Sequence, residues 1–169
     1  GIYSMNITFI LPVTSQPRYW KRIKSLERLG CNNKVLAFER KYIPINKTNK
    51  NYIVIGKIEH KKYYKRILPF VRAFATIRNN IKYSDVTYVF GMDMLLFGWV
   101  TGLFINKKNK IVYEVGDIRS IFIGNNIQSI FFRWIERFLI KRIDFLVVTS
   151  KAYITCYYEK IQGIKDIRY

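Results

Sequence analysis

NITFILPV, residues 6–13, is an almost unbroken apolar run. A strand with one wet face alternates apolar and polar side chains, whereas a strand covered on both faces of a parallel sheet does not. Working outward, the same texture returns as KVLAF at 34–38, YIVIGKI at 52–58, VTYVF at 86–90, IVYEV at 111–115 and FLVVTS at 145–150. The segments between have helical spacing. Pro17 stands where a helix can begin, Ile23, Leu26 and Leu29 share one side of 18–29, and Gly30 stops it. After a polar loop at 39–51, KKYYKR (61–66) leads into a helix carrying Tyr64, Ile67, Leu68, Val71, Phe74 and Ala75 and ending near Asn79-Asn80. Pro69 in its first turn would move that start later. Asp93 can cap a helix that runs to Phe104. Residues 127–139 place Ile127, Ile130, Phe131, Trp134, Ile135, Phe138 and Leu139 on one stripe, read as the core face, with Arg133, Glu136, Arg137 and Lys141 off it. A last helix covers 152–161, before Gly163. Strict alternation of strand and helix predicts an α/β fold: a Rossmann-like, doubly wound, mainly parallel sheet of six or seven strands with helices on both faces, one domain over 1–169.

Composition narrows the function classes. With 30 Lys+Arg against 11 Asp+Glu the net charge is +19, and 50% hydrophobic and 17% aromatic content excludes a disordered basic tail. Cys31 and Cys156 form no CxxC pair, and one histidine, His60 in a solvated Glu-His-Lys-Lys context, leaves little material for a His-rich metal site or a Ser-His-Asp triad. The apolar stretch 86–105 has the length of a membrane span, but Asp93 and Gly91, Gly98 and Gly102 favour strand, turn and buried helix. A charge this large points to an anionic partner, although abundant Lys, Ile and Asn also suit AT-rich coding DNA.

Ligands of doubly wound sheets bind beyond the carboxyl ends of the strands. The loop Thr14-Ser15-Gln16-Pro17-Arg18 has neither GxGxxG nor a Walker lysine, but its amides open a helix, which makes Ser15, Gln16 and Arg18 candidate substrate contacts. Glu114-Val-Gly-Asp117 brings two carboxylates to the end of the fifth strand. Glu114 and Asp117 are the candidate catalytic groups, the alternative being a salt-bridged strand residue and a helix cap. Gly116 between them allows close approach or positive φ. Asp93 and Arg119 complete the substrate-binding set. Lys57, Lys61, Lys62, Tyr63, Lys65 and Arg66 form a basic, aromatic cluster suited to anionic headgroups or to nucleic acid. Phe132 and Ile140, beside Arg133, Arg137 and Lys141, offer a second membrane-facing surface.

MNITFILP at 5–12, the Leu29-Gly30 helix end followed by 34–38, SDVTYV at 84–89, VYEVGD at 112–117 and RIDFLVVTS at 142–150 together resemble the N-terminal, acceptor-binding half of family-4-type glycosyltransferases of GT-B architecture. That resemblance implies transfer of a hexosyl group, with retention and without an obligatory metal, from a nucleotide-sugar donor to a glycan or polyprenyl-phosphate-linked acceptor. It further implies a role in bacterial surface polysaccharide synthesis, peripheral attachment to the inner face of the cytoplasmic membrane, and a donor-binding C-terminal domain lying beyond this chain, which alone would be inactive. No specific nucleic acid is implied; a basic Rossmann-like nucleic-acid binder or non-catalytic interaction domain is the alternative. Two positions depart from the family pattern. Ser15 and Gln16 stand where many relatives have paired glycines, and Gly116 stands where His is common, leaving Asp117 as the nearest candidate base.

Overall fold

A computed structural model describes residues 4–40, 51–59 and 63–169. Its strands are β1 (Asn6–Leu11), β2 (Asn32–Arg40), β3 (Ile53–Ile58), β4 (Val86–Phe90), β5 (Lys110–Val115) and β6 (Phe145–Val148). They form a six-stranded sheet in the order β3-β2-β1-β4-β5-β6, and every neighbouring pair is parallel. This is the Rossmann-like α/β fold expected from the unbroken apolar runs. β1 is buried at all but its first residue and β4 throughout, as strands covered on both faces must be. The strand order reverses between β1 and β4, which opens a crevice above their carboxyl ends.

Helix α1 (Pro17–Arg28) covers one face, burying Tyr19, Trp20 and Ile23 against Phe9, Tyr88 and Phe90. Pro17 occupies its first turn, where a missing amide costs nothing. At its far end Gly30, at φ 86°, lets the Cys31 amide turn back to the Leu26 carbonyl at 3.1 Å. Helices α2 (Ile67–Ile81), α3 (Met92–Gly102) and, after the short α4 (Ser120–Ile123), α5 (Ile127–Ile140) cover the opposite face. Gly98 of α3 is where helix and sheet come closest: a Cβ there would meet Val89 Cγ1 at 3.2 Å. The stretch 86–105 is therefore strand, turn and an 11-residue helix. Among the described residues no helix is long and apolar enough to cross a membrane.

Two helices face the other way from the sequence expectation. In α2 the core side is Ala73, Ile77 and Ile81, while Tyr64, Ile67, Leu68 and Val71 are exposed. In α5, Ser129, Glu136, Leu139 and Ile140 turn inward and Trp134 is 61% exposed. The membrane-facing surface expected around Phe132 and Ile140 is thus core: Ile140 is buried, and half-buried Phe132 packs edge-on against Phe122 at 6.3 Å between ring centres.

Glu136 supplies the physical reason. It is 2% exposed, and its Oε1 accepts from Tyr157 Oη at 2.7 Å and Gln162 Nε2 at 3.0 Å. Its Oε2 accepts from Tyr113 Oη at 2.9 Å and Tyr158 Oη at 3.4 Å. A carboxylate supplied with that many donors can be buried, and burying it rotates the apolar stripe of α5 outward. The last helix also differs from expectation, winding as a π-helix over Tyr153–Glu159. Both Tyr157 and Tyr158, adjacent in sequence, reach Glu136 from it.

Burial holds the Glu136 carboxyl above the usual 4.5, against the opposing pull of its hydrogen bonds. The folded chain keeps a proton that the unfolded chain releases, so this contribution to stability is complete below about pH 4.5 and is lost as pH rises through the elevated value. Glu136→Gln should flatten that slope when urea midpoints are compared at acid and neutral pH. Glu136→Ala, which strands the tyrosine hydroxyls and opens a hole, should cost ~2–4 kcal/mol at either pH.

Candidate functional site

A cavity of about 240 Å³ occupies the crevice at the switch point. Gln16, Arg18, Asp93, Glu114, Asp117 and Arg119 all line it, so the strand-end reasoning brings together every candidate but one. Ser15 is exposed on the first loop and does not contribute to the lining. Arg40, the last residue of β2, and Arg66, just ahead of α2, join the wall. Arg40 escaped the sequence reading because the second strand was ended at Phe38, two residues short of the edge where it would have been noticed.

Glu114 lies beneath the floor, 1% exposed. Arg22 Nε donates to its Oε1 at 2.8 Å, Tyr88 Oη donates to the same oxygen at 2.6 Å, and Arg18 Nε stands 3.5 Å from Oε2. Burial and the adjacent Glu114 charge push the Tyr88 hydroxyl far above its usual range, so it stays a donor. Held in this way Glu114 positions α1 over β5, the salt-bridged alternative of the sequence reading. Gly116 shows why a side chain is missing there: a Cβ would collide with the Arg18 guanidinium, which lies directly across the turn. Thr149 Oγ1 donates to the Gly116 carbonyl at 3.0 Å and ties that turn to the end of β6.

Asp117 is different. It is exposed, lines the cavity, and caps no helix, since Arg119 holds the capping position of α4. It is an open carboxylate in a cavity whose lining also holds Arg18, Arg40, Arg66 and Arg119. Asp93 also does not cap. Gly91, at φ 87°, occupies that position in α3 and Asp93 follows in the first turn, where its Oδ1 accepts from the Met94 amide at 3.0 Å and its Oδ2 is ion-paired with Arg66.

That pairing corrects the assignment of Arg66 to a membrane surface: it is 7% exposed, drawn into the cavity wall by Asp93. Arg133 is likewise not a free surface charge. Its Nη1 donates to the carbonyls of Phe122 at 2.8 Å and Gly124 at 2.6 Å, lashing α5 to α4. Arg137 is half-buried, whereas Lys57, Lys65 and Lys141 are exposed, with Lys65 bonded to Glu59 at 3.1 Å. Lys61, Lys62, His60 and the Tyr63 side chain lie outside the described residues.

Compared with known proteins, the chain matches no family model and no curated protein. Solved structures do resemble it. It superposes on sucrose-phosphate synthase from Thermosynechococcus elongatus with a TM-score of 0.66 and 14% identity, over 97% of this chain and 47% of that one. A second structure of that synthase gives a TM-score of 0.62 and 15% identity, over 97% and 86%. An alpha-glucosyltransferase in complex with UDP-glucose and DNA containing an abasic site gives 0.56 and 8%, over 99% and 42%. The likeness is one of fold: the six-stranded parallel sheet and its helices are shared with glycosyltransferase structures, and the chain spans under half the length of the full synthase and of the glucosyltransferase.

Gly116→Ala should displace the Arg18 guanidinium, the free end of a flexible side chain, and lower stability by less than ~1 kcal/mol in chemical denaturation. Introduced into an Arg18→Ala background the same substitution should cost less still, because the collision partner is gone. An additive pair would show that the glycine serves some other purpose.

Proposed function

We propose that this chain is the acceptor-side domain of a glycosyltransferase of GT-B architecture. The observation that carries the reading is Asp117: a solvent-open carboxylate in a cavity at the switch point whose lining also includes Arg18, Arg40 and Arg119. The fold likeness to a synthase and a glucosyltransferase, one of them solved with UDP-glucose, supports it. The donor is a nucleotide sugar, held mainly by a second α/β domain beyond this chain. The acceptor is a glycan or a polyprenyl-phosphate-linked sugar of bacterial surface polysaccharide, presented at the inner face of the cytoplasmic membrane.

In this reading the cavity arginines hold the acceptor phosphates, for which paired N–H donors are well shaped. An acceptor hydroxyl lies against Asp117. As its oxygen bonds to the anomeric carbon on the face the phosphate is leaving, its proton passes to the Asp117 carboxylate and the sugar–phosphate bond breaks, releasing the nucleoside diphosphate. The hexosyl group is transferred with retention, as the family resemblance implies, and no metal is needed for the acceptor's part. Glu114 acts by position, keeping α1, and with it Arg18, in register with β5.

The test is transfer of labelled sugar by the protein that contains this domain together with its donor half. Asp117→Ala should lower kcat by ~10²-fold or more with little change in donor KM. Arg40→Ala should instead raise KM for a phosphate-bearing acceptor. Unchanged rates in Asp117→Ala would remove it from the mechanism.

A further inference from the structure

The outward side of α5 carries Ile127, Ile130, Phe131, Trp134 and Phe138, three or four residues apart and all exposed. On a helix packed against a sheet, that side ordinarily belongs to charged residues. Here it is a run of touching rings. Phe131 stacks on Trp134 at 6.5 Å between centres, Trp134 on Phe138 at 6.2 Å, and Phe138 meets Trp99 of α3 edge-on at 5.4 Å. Among these five side chains the indole N–H is the sole hydrogen-bonding group, whereas protein interfaces carry roughly one hydrogen bond per 100–200 Å².

The fringe of the stripe is cationic. The Arg142 guanidinium lies 3.4 Å from the centre of the Phe138 ring, and Lys141 beside it is exposed. The sole carboxylate of α5 is the buried Glu136, and α2 in the same layer has none. An anionic surface approaching this layer meets apolar rings and cations with no carboxylate from either helix to repel it. Tryptophan and phenylalanine backed by Lys and Arg is the composition of helices that lie in the headgroup–acyl boundary of a bilayer. The stripe also adjoins the cavity. The start of α5 follows α4, where exposed Ile123 is next to Phe122 of the cavity lining, and Glu136 of α5 reaches the same cavity from the buried side.

We propose that α5 lies flat on an anionic bilayer, with Phe131 and Trp134 inserted among the acyl chains and Lys141 and Arg142 against the phosphates. Its N-terminal end then brings the cavity to the membrane surface, so that a lipid-linked acceptor reaches Asp117 without leaving the bilayer. The bilayer contact stands on the helix face alone; its use for an acceptor rests on the proposed function.

The experiment is flotation of the chain with vesicles of phosphatidylcholine alone or mixed with phosphatidylglycerol, together with quenching of tryptophan fluorescence by brominated acyl chains. Binding to the mixed vesicles should fall at least tenfold in Phe131→Ser/Trp134→Ser, and most of the quenching should be lost in Trp134→Phe, because Trp20 is buried and Trp99 half-buried behind Phe138. Lys141→Ser/Arg142→Ser should reduce the preference for phosphatidylglycerol. Circular dichroism should be unchanged in both double variants, and only Lys141→Ser/Arg142→Ser should show a slightly lower thermal midpoint, because Arg142 also donates to the Phe138 carbonyl at 2.6 Å. Full-strength vesicle binding by Phe131→Ser/Trp134→Ser would overturn the assignment to α5 while leaving membrane attachment by another surface standing. No binding to either vesicle would overturn both. A chain dimer that this double variant dissolves, without vesicle affinity, would make the stripe a self-association face and would also overturn the proposal.

Discussion

A single buried carboxylate organises the cavity edge of this molecule. Glu114 is almost sealed from water, yet two guanidinium groups from α1 and a phenol from β4 converge on it. Those contacts join α1 to β5 across β4, which apolar packing alone would leave free to slide. The arginines are themselves 38% and 42% exposed, so the arrangement is an anchor more than a large store of stability. Its consequence is geometric. Arg18 lies over Gly116, where a side chain would meet it, and Asp117 beyond the turn lines the open crevice.

How much of this could be read from the residues depended on the range of the interaction responsible. The strands were legible because a parallel strand covered on both faces needs a continuous apolar run, a local property of β1 and β4. The cavity was legible because parallel strands end on one side, which gathers Gln16, Arg18, Asp93, Glu114, Asp117 and Arg119 whatever the loops contain. Helix faces were not legible. α5 has apolar residues nearly all round, so periodicity offered a stripe without saying which side met the sheet. The decision came from Tyr113, Tyr157, Tyr158 and Gln162, tens of residues away from or beyond the helix, which supply Glu136 with donors. Arg66 was misread for a similar reason: its place in a basic run hid a partner, Asp93, on another element.

The excess of positive charge has more than one use. Part of it is structural, as in Arg133 fastening α5 to the carbonyls that end α4 and Arg66 neutralising Asp93. Another part surrounds the cavity and suits phosphate. Lys141 and Arg142 fringe a helical layer whose outer residues are apolar, and others, such as Lys21, Lys24 and Arg28 on α1, lie elsewhere on the surface. Composition alone merges these roles into one number, and the fold separates them.

The chain's closing residues pass beside β6, where the Leu146 amide donates to the Arg168 carbonyl at 2.8 Å. That rim of the sheet is therefore screened by a later stretch of the chain, while β3, at the opposite rim, presents the exposed side chains of Ile53 and Val54. Among the described residues nothing pairs with the outer side of β3, and open strand rims recruit other strands, so the two borders carry unequal risk of polymerisation. Displacing the stretch around Arg168 would bare the β6 border as well and convert a one-sided hazard into a ribbon able to grow in both directions.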